Sequence, residues 1–352
     1  MNINELLSKL TVSKASDLIL VDGNPPYLRI ANSLIQQGSN PLSTRNVEDL
    51  ITPLLSKELM DEFKKTKELD FAYEDQGSRY RINLHFQMGN MAATIRRIPK
   101  EIPTLEQLSL PTIVKTLTTL ERGLVLVTGP TGCGKSTTQA AMINEINSTR
   151  QAHIITIEDP IEFVHQAKLS VIEQREVGLD TVSFNEALKR VLRQIPDIIL
   201  IGEMRDLESI QMAITAAETG HLVIATLHTQ DSSQSIDRMI DVFPPHQQTQ
   251  IRTMLSLTIQ GIISQQLIPR KDSNGLVLAM EVMVANPAIR NIIRKGGTQD
   301  LYSMIELGSQ IGMQTMDSSL KKLVNEGKID KNEALARTLH REQMEKSLSG
   351  SA

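Results

Sequence analysis

"GLVLVTGPTGCGKSTTQAAM", residues 123–142, decides how the chain is to be read. A short apolar run rich in β-branched residues leads into "GPTGCGKS" at 129–136, and a helix-forming stretch follows. This is the GxxxxGK[ST] pattern in its strand, loop and helix context, an arrangement that binds nucleotide phosphates. Gly132 and Gly134 let the backbone curl so that successive amides point inward, and the helix start adds partial positive charge. Lys135 is expected to reach the β and γ phosphates, and the Ser136 hydroxyl to ligate magnesium. The expected nucleotide-binding residues are therefore Gly129, Pro130, Thr131, Gly132, Cys133, Gly134, Lys135, Ser136 and Thr137, with ATP and Mg2+ as cofactors. Cys133 has two readings. It is an inert small residue contributing its amide, or a thiol biased toward thiolate by Lys135 and the helix start. Its variable place in the loop favours the first.

Downstream, "IITIEDPIEF" at 154–163, "PDIILIGEMRD" at 196–206 and "GHLVIATLHT" at 220–229 are also short, apolar and β-branched. Helix-like segments separate them, which predicts an α/β core with a parallel sheet covered on both faces. The strand at 198–203 ends in Gly202 and Glu203, where a nucleotide-hydrolysing strand more often ends in an aspartate. Gly202 leaves space but no ligand. Glu203 is thus expected to act on magnesium through water, or on the attacking water itself. Glu158, Asp159 and Glu162 cluster at another strand end, where Pro160 stops strand pairing. Acids so close repel one another unless a cation or solvent compensates, which beside a phosphate loop suits a metal-facing role. Glu162 is the expected base that orients or activates water, with Glu203 as its partner and Asp159 as local support. His221 and His228 are an odd number of residues apart, so in one strand they face opposite sides and cannot share a zinc ion. His228 is expected to sense the γ phosphate. For His221 a strand-capping role is the alternative.

Bulk composition sets limits. The 352 residues, 40% of them apolar, are enough for two separate cores. With 37 basic and 41 acidic side chains the formal charge is -4, which offers no broad footprint for nucleic acid or an anionic membrane. An aromatic content of 3% with no tryptophan argues against base-stacking platforms. Apolar runs such as "LVIATL" at 222–227 fall far short of the roughly 18 residues a bilayer span requires. "MNINELLSKL" lacks the basic start and long apolar core of a signal peptide, so a cytoplasmic location is expected. A lone Cys133 excludes an internal disulfide and a four-cysteine zinc site.

Residues 1–97 read as an α+β unit, with an amphipathic helix around Leu6, Leu7 and Leu10. In "ASDLILVDGNPPYLRI" at 15–30 a strand, a turn built on Gly23, Pro25 and Pro26, and a second strand follow, and "SRYRINLHF" at 78–86 alternates as a strand. Pro99, Pro103 and Pro111 predict a stiff linker over 98–111. The core is then 112–270, followed by a helical region at 271–345 and a flexible tail at 346–352. From about 246 the pattern turns helical, with Ile251, Met254, Leu255, Ile259 and Ile262 spaced to share one helix face.

Taken in order, "GPTGCGKST", "IITIEDPIEF", "PDIILIGEMRD" and "GHLVIATLHT" resemble the Walker A, Asp box, atypical Walker B and His box of the secretion ATPase superfamily. That superfamily powers type IV pili and type II secretion. The segment at 15–30, "AIRNIIRKG" at 288–296 and "GMQTMDSSL" at 312–320 are similar to pilus-retraction ATPases of the PilT type, and the likeness spans about 1–330. "REVGLDT" at 175–181 and "SQQLIPR" at 264–270 also suit the PilU-type paralogue. Extension and export ATPases usually carry a longer N-terminal region and a four-cysteine zinc element, and this sequence has neither. Cys133 stands where the family usually has serine, and "ATIRRIP" at 93–99 is unusually basic.

The resemblance implies a PAS-like N-terminal domain, a RecA-like P-loop ATPase domain with C-terminal helices, and a homo-hexamer with nucleotide at domain and subunit junctions. It implies a Mg-dependent motor for pilus retraction and twitching motility, peripheral to an inner-membrane platform protein and working with or without a paralogous retraction ATPase. It also implies that Arg81 and Arg96 offer guanidinium groups to bound phosphates, with Arg97 able to replace Arg96. For Ala288, Ile289, Arg290, Asn291, Ile292, Ile293 and Arg294 two readings stand together. One is an amphipathic helix with the isoleucines inward and both arginines solvated. The other is a force-coupling surface for retraction. Alternatives for the whole chain are a PilU-type accessory ATPase, a type II secretion or pilus extension ATPase, and a RecA-like nucleic-acid motor.

Overall fold

The computed structural model describes residues 2–13, 15–30, 33–75, 77–272 and 275–349. The chain divides into two compact units, Met1–Glu101 and Ile102–Ala352, and the division falls within the proline-rich stretch at 98–111.

In the first unit, α1 (Ile3–Val12) opens on a capping box in which Asn2 and Glu5 satisfy each other's backbone amides. Its Leu6, Leu7 and Leu10 are buried, as their spacing predicts. β1 (Asp17–Leu20) and β2 (Tyr27–Ile30) pair antiparallel. In the turn between them, the Asn24 amide donates to the Val21 carbonyl and Gly23 takes a φ of 77°. β3 (Ser33–Gln36), α2 (Thr44–Ile51) and α3 (Lys57–Thr66) follow, then β4 (Glu68–Asp75), β5 (Ser78–Gln87) and β6 (Asn90–Ile98). Among the described residues the sheet has the order β3-β2-β1-β6-β5-β4. In β5, Tyr80, Ile82 and Leu84 are buried at alternate positions, where they pack with Leu6, Leu10 and Phe63. The result is the α+β unit expected from the sequence.

The second unit is built on a sheet ordered β13-β12-β7-β11-β10-β8-β9. After α4 (Thr112–Thr118) come β7 (Gly123–Thr128), β8 (His153–Glu158), β9 (Val171–Glu176), β10 (Ile198–Ile201) and β11 (Leu222–Leu227), all parallel, with β9 at the edge of the sheet. Between them run α5 (Lys135–Thr149), α6 (Phe184–Val191) and α7 (Leu207–Glu218). Leu124, Ile155, Ile199 and Val223 point into one core, and Val125, Ile154, Ile198 and Leu222 into the core on the other face. Burial on both faces explains why β7, β8, β10 and β11 read as apolar runs.

Beyond α8 (Ser232–Asp241) the structure corrects the expected helical pattern. α9 (Pro245–Thr258) ends before Ile259, and β12 (Ile259–Pro269) runs parallel to β7. The spacing of Ile251, Leu255, Ile259 and Ile262 matched a helix because a helix stripe happened to continue into a strand. Ile262 and Ile263 pack into opposite cores, which adjacent residues do in a strand and not on one helix face. Gly261 fixes the approach, since a Cβ there would meet the Leu117 side chain at 2.9 Å. β13 (Leu276–Val284) pairs antiparallel with β12, so the region expected to be helical from 271 begins with an edge strand. The chain then continues as α10 (Pro287–Lys295), α11 (Leu301–Leu307), α12 (Met316–Asn325), α13 (Lys331–Arg337) and α14 (Arg341–Ser349). Residues 346–349 of the expected flexible tail belong to that last helix, and 350–352 lie outside the described residues. No helix among the described residues is long and apolar enough to cross a membrane.

Candidate nucleotide site

β7 ends at Thr128, and the loop that follows delivers the chain into α5. Gly129 has a φ of 139°, and a Cβ there would lie 2.4 Å from the Gln265 carbonyl oxygen and 2.6 Å from the Cys133 sulfur. Gly134 is the N-cap of α5 at φ 91°, and no side chain caps that helix. The first-turn amides of Lys135, Ser136 and Thr137 therefore lack an acceptor within the helix, and they converge where the helix dipole is positive. The Lys135 ammonium folds back onto the loop carbonyls of Gly129 at 2.8 Å and Pro130 at 3.1 Å. Burial pulls its pKa down, against the opposing pull of Cys133, Glu203 and Glu162. An uncapped helix start with a cation at its mouth fits the polyphosphate of a nucleotide. Cys133 is buried, and that burial raises its thiol despite Lys135, which agrees with an inert loop residue.

β11 lies beside β7 in the sheet and β10 beside β11, and their ends carry the rest of the site. His228 directly follows β11. Its Nδ1 is 3.4 Å from the Lys135 ammonium, and its Nε2 is 2.9 Å from Glu203 Oε1. Arg205 Nε is 2.9 Å from the same oxygen, and Arg205 also donates to Oε2 at 2.9 Å. Burial works to raise the Glu203 carboxyl, but Arg205 and His228 together outweigh it and hold the group below its ordinary value. Arg205 was not singled out in the sequence. Its separation of two residues from a strand-end acid was the available signal.

Gly202 acquires a reason. A Cβ there would lie 3.2 Å from the Ile157 carbonyl and 3.3 Å from Glu158 Cα, so glycine eases the close approach of β10 and β8 at their ends. Glu158 itself turns back into the sheet, where its Oε1 accepts from Thr156 at 2.7 Å and Gln174 at 3.2 Å. Burial raises its pKa. Asp159 and Glu162 are exposed, and the charge of Glu162 reaches Lys135 while that of Asp159 reaches Arg205. Among the described residues these acids do not converge as a metal-binding group of three. Burial and, to a smaller extent, the nearby charge of Glu162 both act to raise Glu158, so part of the repulsion expected of these acids persists.

His221 lies elsewhere. It precedes β11, about 20 Å of strand from the phosphate-loop end, and its Nδ1 lies 2.9 Å from the Ala216 carbonyl at the end of α7. Ala288 to Arg294 form most of α10, where Ile289 and Ile293 are buried and Ile292 packs on the same core. Arg290 corrects the expectation of a solvated arginine, because its guanidinium donates to the carbonyls of Ser256 and Leu257 at 2.9 Å each, capping α9. Arg294, Asn291 and Ala288 are exposed. In the first unit Arg81 and Arg96 sit opposite each other on β5 and β6. Arg96 donates to the buried Asp17 at 2.7 Å, and Arg81 lies 3.6 Å from Asp70. Arg97 has a buried Nε with no hydrogen-bond partner among the described residues.

Comparison with known proteins agrees with this geometry. Residues 88–351 match the family of type II/IV secretion system proteins. The chain is 47% identical to the type IV pilus retraction ATPase PilT of Pseudomonas aeruginosa, over 95% of this chain and 97% of that protein. It is 39% identical to the type IV pilus ATPase PilU of the same organism, over 96% of this chain and 88% of that protein. A crystal structure of the pilus retraction motor PilT with bound ADP superposes with a TM-score of 0.93 at 42% identity, covering 98% of this chain and 99% of the other. The chain belongs to the type II/IV secretion system protein family, within its P-loop ATPases of the PilT type.

Proposed function

We propose that this chain is a magnesium-dependent ATPase that works as a six-membered ring and drives the disassembly of type IV pili from the cytoplasmic side of an inner-membrane platform. The observation that carries the ATPase reading is the uncapped start of α5, with Lys135 folded into it and Glu203 and His228 brought to its edge. The retraction reading rests on likeness across nearly the whole chain to a pilus retraction ATPase, greater than to the PilU relative.

The first-turn amides and Lys135 bind the β and γ phosphates and spread their charge over fixed dipoles. Ser136 is the residue that would hold magnesium through its hydroxyl, and the ion would supply positive charge to offset that of the phosphates. Glu203 is held below its ordinary value by Arg205 and His228, which suits orienting water beside the magnesium that Ser136 would hold rather than accepting a proton. Glu162, exposed and free of such a clamp, takes the proton of the attacking water. His228 bridges Lys135 and Glu203 and registers whether the γ phosphate is present. Arg81 and Arg96, paired across two strands, serve as the charge-stabilising guanidiniums of an assembled ring, with Asp17 and Asp70 holding them until then.

Glu162→Gln and Lys135→Ala separate these roles. Glu162→Gln should keep ADP affinity within about twofold while kcat falls about a hundredfold or more, and Lys135→Ala should lose binding itself. Hydrolysis at the native rate in Glu162→Gln would remove that residue from the mechanism. ATPase stimulation by single-stranded DNA or RNA would point instead to a nucleic-acid motor.

A further inference from the structure

A row of buried polar side chains crosses the sheet beneath the site, and none of the roles above uses it. Thr128, the residue before the phosphate loop, donates its hydroxyl to Ser264 Oγ at 2.9 Å. Ser264 is the register partner of Glu281 on the edge strand β13. Glu281 is 3% exposed, and its Oε1 accepts from both the amide and the hydroxyl of Ser232 at 2.8 and 2.6 Å. Ser232 is the first residue of α8, and the turn between β11 and α8 begins with His228.

A carboxylate is an expensive choice for such a place. Burial pushes Glu281 up, and only the Ser232 hydroxyl and amide, with the Met316 amide at the start of α12, draw it back. No cation is paired with it among the described residues, so a nonpolar side chain would be cheaper if packing were its only task. Nor does α8 depend on it for its cap. Asp231 already caps that helix by accepting from the Gln234 amide at 2.7 Å. What Glu281 adds is a tie between the start of α8 and the sheet that also carries the phosphate loop. The Thr229 hydroxyl, 2.6 Å from Ser235 Oγ, and the Ser235 bond to the Asp231 carbonyl tighten the same turn from within.

We propose that Glu281 is a positioning residue for hydrolysis: it clamps the start of α8 to the sheet so that the 228–231 turn holds His228 between Lys135 and Glu203. This rests on the ATPase reading of the site, and the two fail differently. If the native protein binds ADP but hydrolyses no ATP, the ATPase reading fails. The role of Glu281 is read from variants of an active protein.

The experiment is steady-state ATPase kinetics, with ADP affinity and thermal melting measured in parallel, on the full-length Glu281→Ala, Glu281→Gln and Ser232→Ala proteins, and on His228→Ala with and without Glu281→Ala. Glu281→Ala should lower kcat about tenfold or more, with KM and ADP affinity within about twofold. Glu281→Gln keeps an oxygen in the same place and should recover most of the rate. In the His228→Ala background the Glu281→Ala change should cost nothing further, the signature of two residues acting through one another. A lower melting temperature with unchanged kcat, or a Glu281→Ala loss of equal size with and without His228, would overturn the proposal. If Glu281→Ala does not fold, Ser232→Ala, which removes one of the two bonds, decides. A fall in kcat of about two- to fivefold with KM unchanged supports the clamp, and none refutes it.

Discussion

Two helices of the ATPase unit start at the same edge of the sheet and are finished in opposite ways. α5 begins at Gly134 with no side-chain cap, and Lys135 turns onto the loop carbonyls beside it. α8 begins at Asp231 with its own cap, and Glu281 accepts a further first-turn amide from across the sheet. Both follow parallel strands, β7 and β11, that are neighbours in register. The difference lies in who satisfies the amides. At α8 the protein does so, which fixes the turn carrying His228; at α5 the amides are left for a ligand, which makes a binding site.

The largest effect should come from erasing that difference. Gly134→Asp would place a capping carboxylate over the α5 amides, at a φ of 91° that a side chain rarely adopts, and compete directly with phosphate. ADP affinity should fall about a thousandfold in a fluorescent-nucleotide titration, because both charge and geometry then oppose binding. Native affinity in that variant would mean that the α5 start does not hold the phosphates.

A buried polar atom without a partner marks a third case, which is neither capped nor awaiting phosphate. His165 has a buried Nδ1 with no hydrogen-bond partner among the described residues, and burial, aided by Lys168, pushes its pKa from 6.5 down to about 4. Between those values the unfolded chain binds more protons than the folded one, so stability falls as pH drops from 6.5 to 4. The loss should be about 3 kcal/mol over that window, seen as a lower urea midpoint, and His165→Gln should flatten it. An unchanged pH dependence in His165→Gln would place the sensitivity elsewhere.

The smallest effect belongs to α8. Asp231→Ala removes one cap of a helix start that keeps its tie to Glu281, and should cost about 1 kcal/mol, or about 2–4 °C in melting temperature. ADP affinity should stay native. A loss of binding there would show that the start of α8 also holds the nucleotide.

Sequence reading recovered the parts of this comparison that lie on contiguous residues. The phosphate loop was legible because strand, glycines, lysine and helix follow one another without interruption over 123–142. Glu203 and His228 were legible as polar residues ending apolar strands. Their meeting at 2.9 Å was not, because it depends on β10 and β11 being parallel neighbours in one register. β12 was hidden because its isoleucines continued the spacing of α9, and β13 was hidden with it. Arg290 illustrates the same limit. An arginine on a helix reads as solvated until the end of another helix is found against it. Glu281, buried on an edge strand, carries no local pattern at all, and its partner Ser232 lies far from it along the chain.

The most direct measurement is ATPase activity of the purified protein across a size-exclusion series, with Glu203→Gln run alongside. The expected result is hydrolysis confined to a six-subunit fraction, lost in Glu203→Gln while ADP binding persists in both proteins. Hydrolysis by the monomer, or native hydrolysis in Glu203→Gln, would contradict a ring motor whose chemistry is assembled at the ends of β7, β10 and β11.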